Sequence, residues 1–140
     1  MWYAEHTLET TSAPEAIWSR WEDVEGWPEW DEDLEWVRLA GLLQAGSRGR
    51  LKRKGSLPRC FRIEAIQEGQ GFTYVAWNLM TRTRWLHRVE PCGLGSRVTH
   101  RVEVAGILAW WLRLTLAPRI RRILPPAVRK LARLAASPRS

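Results

Sequence analysis

The feature of this sequence that most restricts its fold is the alternation of apolar and polar residues along several short segments. The two clearest segments are residues 82–90 and 96–105, which a turn containing Gly93 and Gly95 separates. Alternation with a period of two is typical of a β-strand with one buried face and one solvated face. Two such segments joined by a glycine-containing turn predict an antiparallel hairpin.

Similar alternation predicts five more strands, which makes seven in all: residues 2–11, 35–40, 47–54, 60–67 and 72–79. Two short helices are expected after the first strand. The first covers residues 14–23, with Ser12 as its N-cap and Pro14 in its first turn. The second is a single turn around residues 29–34.

The end of the chain carries apolar residues at steps of three and four, which predicts a long amphipathic helix. Pro118 is expected near its start, and Pro125-Pro126 is expected to kink it. An antiparallel sheet with one apolar face needs a cover, so this helix should lie across it. The prediction is an α+β fold with a seven-stranded antiparallel sheet around a long C-terminal helix.

The composition fits one domain, which we assign to residues 1–136, with 137–140 as a frayed tail. Ten tryptophans are an unusual number and would supply apolar surface to line a cavity. The longest apolar run, residues 107–117, is interrupted by Arg113 and falls short of the ~20 residues of a membrane span.

The net charge of +7 is compatible with nucleic acid, anionic membranes or acidic ligands. Strand arginines interleave with glutamates on the expected outer face, which indicates a solvated surface and no nucleic-acid partner. Arginines of the last helix lie near Trp110 and Trp111, so transient membrane contact stays an alternative. Cys60 and Cys92 lack zinc spacing, and no signal peptide is visible, so a cytoplasmic protein with reduced thiols is expected.

Charge pairing predicts how the strands at residues 2–11, 82–90 and 96–105 align with one another. If His87 faces His100 in the 82–105 hairpin, opposite charges meet on the outer face. The family resemblance described below places the first strand beside the last, and opposite charges also meet there if His6 faces His100. The pairs are Glu90–Arg97, Arg84–Glu103, Glu5–Arg101 and Glu9–Arg97. The three histidines then lie at one level on the inner face, beneath the last helix.

Three roles remain open for these histidines. They form a hydrogen-bonded polar patch, or His87 and His100 anchor a ligand or transfer protons, or all three hold zinc. No acidic residue falls on the expected inner face to orient an imidazole. We therefore favour the polar patch and expect no metal and no cofactor.

The alternation in the 60–79 hairpin is compatible with either of two inward faces. Pairing Ile63 with Val75 and Phe61 with Trp77 gives an apolar inner face, but the rival face with Phe72 and Tyr74 is also apolar. We favour the former. The residues predicted to line a cavity are His6, Leu8, Leu51, Phe61, Ile63, Tyr74, Trp77, Trp85, His87, His100, Val102, Ile120 and Leu124.

The order of these elements and five local sequences, at residues 13–18, 24–31, 46–51, 95–100 and 124–125, carry a resemblance over essentially the whole chain. The chain resembles the START-like superfamily, in particular its bacterial polyketide cyclase/dehydrase and lipid-transport (SRPBCC) group. The resemblance implies a helix-grip fold, in which a curved sheet surrounds the C-terminal helix and encloses a deep cavity. It also implies that Trp27 and Trp30 lie at the mouth of this cavity, where for Trp27 gating and core packing are equally open. Members bind lipids, polyketides or other hydrophobic molecules, and some catalyse cyclisation or dehydration.

These inferences favour a carrier or sensor that binds a small hydrophobic ligand without catalysis. One alternative is a polyketide aromatase/cyclase or dehydratase that uses His87 and His100 as acid and base. Another is a basic module that binds membrane surfaces or nucleic acid. Whether the protein is a monomer or a homodimer is left open by the sequence.

Overall fold

A computed structural model describes residues 1–77 and 81–136 of the chain. Residues 78 and 79 of the predicted fifth strand and the predicted tail at 137–140 lie outside the described residues. The elements in chain order are β1 (Trp2–Thr10), α1 (Pro14–Glu22), a 3₁₀ helix (Val24–Glu29), β2 (Leu34–Leu39), β3 (Arg48–Arg53), β4 (Arg59–Gln67), β5 (Gly71–Trp77), β6 (Arg82–Cys92), β7 (Gly95–Ala105) and α2 (Ala109–Ala136).

The strands form a seven-stranded sheet in the order β1-β7-β6-β5-β4-β3-β2, and every neighbouring pair is antiparallel. The helix α2 packs against β1, β7 and α1. Its buried residues Val128 and Leu131 share one apolar core with Val98 and Val102 of the sheet. The predicted α+β fold, with a curved sheet around the C-terminal helix, is confirmed.

The predicted alignment of β1, β7 and β6 is confirmed as well. His100 lies opposite His6 on β1 and opposite His87 on β6. The resulting ion pairs join Arg97 to Glu9 at 3.1 Å and to Glu90 at 3.5 Å, Arg84 to Glu103 at 3.6 Å and Arg101 to Glu5 at 3.4 Å. These pairs lie on the solvent-facing side, so each adds little to stability but together they favour one alignment.

The middle hairpin differs from the favoured pairing because β4 contains a bulge. Near the turn, Gln67 pairs with Gly71 as expected, but the alignment shifts by one residue between Ile63 and Ala65. Phe61 therefore pairs with Ala76 instead of Trp77. A shift of one residue exchanges the two faces of a strand. Phe61 and Ile63 stay buried, while Trp77, predicted to point inward, is 40% exposed.

The connection between β1 and α1 uses Ser12 differently from the prediction. Ala13 is the N-cap residue of α1, and no side chain caps the helix. The Ser12 hydroxyl instead donates to the carbonyl of Ala132 in α2 at 3.3 Å, and the Ser12 carbonyl accepts from the hydroxyl of Ser96 at 2.6 Å. Ser12 thus links the sheet to α2, and Pro14 opens α1 as expected.

The second short helix and the last helix begin at residues other than those predicted. The second short helix spans Val24–Glu29 and precedes the predicted turn at 29–34. The helix α2 starts at Ala109, more than two turns before Pro118, and continues through all three of its prolines. Within the described ranges, no helix is both long enough and apolar enough to cross a bilayer. Both cysteines are free.

Candidate functional site

A cavity of about 110 Å³ lies between the inner face of the sheet and α2. Strands β3, β5 and β6 form one wall, helix α2 forms the opposite wall, and the β3–β4 loop borders the opening. Its lining residues are Asp33, Leu51, Arg53, Ser56, Leu57, Arg59, Ala76, Thr81, Thr83, Trp85, Leu112, Leu116, Arg119, Ile120 and Ile123. The walls are mainly apolar, and charged side chains gather at one end.

Asp33, Arg53 and Arg119 of this lining belong to a hydrogen-bonded group that also includes Asp31 and Tyr74. We call this group the Arg53 cluster. Nη1 of Arg53 donates to Asp31 at 3.1 Å and to Asp33 at 3.3 Å, and Nη2 donates to the Tyr74 hydroxyl at 3.0 Å. Arg119 of α2 donates to Asp33 at 2.7 Å and to the carbonyl of Lys54. The cluster therefore joins α2 to strands on the far side of the cavity.

Burial sets the electrostatics of this cluster. Burial alone would lower the pKa of Arg53, but Asp31, Tyr74 and Asp33 outweigh it, so the pKa is raised and the guanidinium stays charged. Burial raises the pKa of Tyr74 to about 12 despite the opposing effect of Arg53. Two carboxylates balance two guanidinium groups, so the cluster has no large net charge. A balanced, hydrogen-bonded cluster limits the cost of burying these charges.

The structure brings only part of the predicted site to this cavity. Leu51, Trp85 and Ile120 line it, as predicted. Other predicted residues are buried in the core without lining it: Phe61, Ile63, Tyr74, His87, His100, Val102 and Leu124. His6 and Leu8 are half-buried on β1.

The predicted mouth residues lie in the interior. Trp27 is 1% exposed and Trp30 is 3% exposed. The Trp27 ring stacks on Phe72 and on Tyr74, with 5.4 Å between centroids in both cases, and its indole N–H donates to the Trp21 carbonyl at 2.9 Å. The opening is formed by the β3–β4 loop and α2 instead. Trp27 and Trp30 thus pack in the core beneath the sheet instead of bordering the cavity mouth.

Aromatic rings also enclose the two inner histidines. His87 stacks on Phe72 with centroids 4.2 Å apart, and its ring centroid lies 4.7 Å from that of His100. Trp30 lies 5.5 Å from His100, and Trp21 lies 5.7 Å from His87, again between centroids. The predicted grouping of these two histidines on the inner face is found, but aromatic side chains occupy the space beside them.

Both buried imidazoles are held neutral. Burial, followed by the proximity of His100, lowers the pKa of His87 well below its usual value, and burial lowers the pKa of His100 to about 3. Among the described side chains, Nδ1 of His87 and Nε2 of His100 are buried without a hydrogen-bond partner. No described carboxylate lies near enough to raise either pKa. Neither ring contacts the cavity, so this arrangement does not favour acid–base catalysis.

The arrangement of the described side chains does not support the zinc alternative either. Within residues 1–77 and 81–136, no three side chains of the histidine, cysteine, aspartate or glutamate type converge as metal ligands. His6 lies opposite His100 but is half-buried, on the far side from His87.

The sequence interpretation missed the polar end of the cavity. Alternation along β3 already placed Arg53 on the same face as Leu51, opposite Arg50 and Lys52, so an inward arginine was open to prediction. Alternation along β6 likewise put Thr83 on the face of Trp85. The carboxylate partners Asp31 and Asp33 precede β2 in a non-repetitive segment, where no periodic signal indicates direction.

Sheet, helix and cavity together define a helix-grip protein with a small, mainly apolar cavity that has a charged end. The chain has the helix-grip fold that the sequence resemblance implied. No protein-family model and no curated protein matches the sequence. The similarity to solved structures is therefore one of fold.

Three solved structures illustrate this similarity. The protein TTHA0849 from Thermus thermophilus has a TM-score of 0.76 at 15% identity, over 95% of this chain and 96% of that one. Norcoclaurine synthase from Thalictrum flavum has a TM-score of 0.75 at 13% identity, over 98% and 87%. Ara h 8.0201 has a TM-score of 0.72 at 12% identity, over 98% and 99%.

Proposed function

We propose that this protein binds a small, mainly apolar molecule with one neutral polar group, in the cavity between the sheet and α2, without catalysing a reaction on it. The observation that carries the proposal is the composition of the cavity: apolar walls with the Arg53 cluster at one end. Sites for small molecules commonly combine an apolar lining with a few polar groups that fix orientation. The helix-grip fold supports the same interpretation.

The size of the cavity limits what it encloses. A dry cavity of about 150 Å³ accommodates benzene in an engineered protein, and this cavity measures about 110 Å³. It therefore suits a short alkyl chain or one small ring. A larger ligand would extend through the opening beside Leu57, or would require α2 to move away from the β3–β4 loop.

The polar part of the ligand is expected to be uncharged. Arg53 and Arg119 are already paired with Asp31 and Asp33, so an added carboxylate would bring a third negative charge into a balanced cluster. Burying an unpaired charge costs far more than burying a hydroxyl that finds a hydrogen bond. Thr83 lines the same cavity and offers a hydroxyl partner.

Mass spectrometry tests whether a ligand is present at all. Protein purified without detergent is analysed under native conditions and then extracted with organic solvent. We expect to find a small apolar molecule bound to the wild type. We also expect two matched variants to differ in how much of this molecule they retain. Thr83→Leu fills the cavity, whereas Thr99→Leu adds the same group on the outer face, where Thr99 contacts Thr7. Crowding the ligand in this way should cost about 1–3 kcal/mol, so retained ligand should fall by about fivefold or more in Thr83→Leu only.

A titration with chosen probes tests the polar preference. We expect 1-octanol to shift the indole NMR signal of Trp85, assigned with Trp85→Phe, at lower concentration than octanoate does. Tighter binding of octanoate would contradict a neutral polar group. Absence of any shift with both probes, together with no extracted molecule, would contradict ligand binding in this cavity.

A further inference from the structure

The start of α2 carries a group of large apolar side chains that face solvent, which we call the tryptophan patch: Ile107, Trp110, Trp111 and Leu114. They are 83%, 70%, 77% and 81% exposed, respectively. Isolated exposed apolar residues are normal, but a contiguous group marks an interaction surface. Tryptophan is the residue enriched where an apolar phase meets water, because its ring is apolar and its N–H bonds to polar groups.

The charge around this patch has one sign. The helix α2 has no acidic residue, and its basic residues are Arg113, Arg119, Arg121, Arg122, Arg129, Lys130 and Arg133. Arg119 pairs with Asp33 and Lys130 pairs with Glu32. Arg121 and Arg122 follow the patch on the exposed side of the helix, and among the described residues neither forms an ion pair. Arg113 lies against Trp110, with its guanidinium carbon 5.7 Å from the ring centroid.

We propose that this protein docks on anionic lipid membranes through the first turns of α2, with the tryptophan patch in the interface and Arg113, Arg121 and Arg122 on the headgroups. An apolar face bordered by cations is the pattern of a helix that lies in a membrane surface. The charge argues against a second copy as the occupant, because two such faces would bring unpaired arginines together.

The cavity opening lies at the same end of α2 as the tryptophan patch but on a different side of the helix. Leu112 and Leu116 line the cavity, on the side of α2 opposite Leu114 of the patch. Leu57 of the β3–β4 loop, on the other side of the opening, is 83% exposed. A ligand that passes Leu57 would therefore enter or leave the cavity close to the membrane surface of a docked protein. This consequence rests on the proposed ligand binding, but the docking itself does not.

Cosedimentation with vesicles tests the docking. The full chain is mixed with vesicles of phosphatidylcholine alone or with about one-third phosphatidylglycerol, over a salt series. We expect binding to the anionic vesicles that weakens with salt, because screening reduces the attraction of the arginines. Trp110→Gln/Trp111→Gln should reduce the partition coefficient by about tenfold or more. Arg121→Gln/Arg122→Gln should reduce it by about fivefold for each arginine.

Two control variants carry the same kinds of substitution at exposed positions outside α2. Leu42→Gln/Leu94→Gln removes two exposed apolar residues from turns, and Arg48→Gln/Arg50→Gln removes two exposed arginines from β3. We expect the apolar control to bind as the wild type does and the arginine control to bind more tightly than Arg121→Gln/Arg122→Gln. Circular dichroism confirms that each variant is folded.

Several outcomes would overturn the docking. These are no binding to anionic vesicles, equal and salt-independent binding to both vesicle types, and unchanged binding of the tryptophan variant. A dimer in sedimentation velocity that the tryptophan variant converts to a monomer, without vesicle binding, would instead assign the patch to a second copy. Thr83→Leu should still bind vesicles, so failure of ligand binding and failure of docking are distinguishable.

Discussion

Arg53 lies over the ring of Trp85, with its guanidinium carbon 3.8 Å from the ring centroid. Arg53 is on β3 and Trp85 is on β6, and two strands separate them in the sheet. The contact is possible only because the sheet curls until the inner faces of β3 and β6 approach each other. The same guanidinium bonds to Asp31, Asp33 and Tyr74, so one side chain connects several parts of the curved sheet.

Removal of Arg53 should therefore destabilise the protein strongly. Arg53→Met leaves Asp31 and Asp33 buried without their main partner, a change that costs about 3–5 kcal/mol in buried pairs. Urea unfolding measures the loss. Lys52→Met is the control, because Lys52 pairs with Glu35 on the outer face and should cost less than about 1 kcal/mol. Equal losses in both variants would contradict the importance of the buried cluster.

Tyr74 should lose its proton only at strongly alkaline pH in the folded protein. Burial raises its pKa to about 12 in the folded protein, compared with 10.0 for the free side chain. The unfolded chain therefore loses this proton first, and the free energy of unfolding should fall as pH rises from about 10 to 12. A Tyr3→Phe background leaves Tyr74 as the one tyrosine, because the chain has two. Tyrosinate absorbance that appears near pH 10 while the protein is folded would contradict this prediction.

Acid should destabilise the protein through His87 and His100. Their pKa values are lowered by burial, so below about pH 6.5 the unfolded chain takes up protons that the folded protein excludes. The free energy of unfolding is unaffected above that pH and falls below it, by about 1.4 kcal/mol per pH unit for each histidine. Urea unfolding between pH 7 and pH 5 measures the slope. His100→Gln should remove about half of the histidine contribution, and an unchanged slope would count against it.

Trp27 should behave as a core residue and not as a gate. Trp27→Ala removes a ring stacked on Phe72 and Tyr74, and large core truncations of this kind cost about 3–5 kcal/mol. Trp111→Ala is the matched control, because Trp111 is 77% exposed and its loss should change stability by less than about 0.5 kcal/mol. Thermal or urea unfolding compares the two. A Trp27→Ala protein with wild-type stability and faster ligand exchange would restore the gating interpretation.

Some features were predictable because their signals are local or pairwise. Charge pairing aligned β1, β7 and β6 correctly, since opposite charges such as Glu90 and Arg97 meet in one alignment only. The bulge in β4 was not predictable, because the residues around Glu64 alternate acceptably in both alignments. Trp77 was consequently assigned to the wrong face.

The sequence alone determined the seven strands, the two short helices, the covering helix α2 and the alignment of the histidine-bearing strands, because each depends on periodicity or on charge pairs between neighbouring strands. Only the tertiary structure decided which inward residues meet a cavity. That choice depends on how far the sheet curls and on where Trp21, Trp27 and Trp30 pack. These contacts join residues distant in sequence, and side-chain volumes in three dimensions decide them.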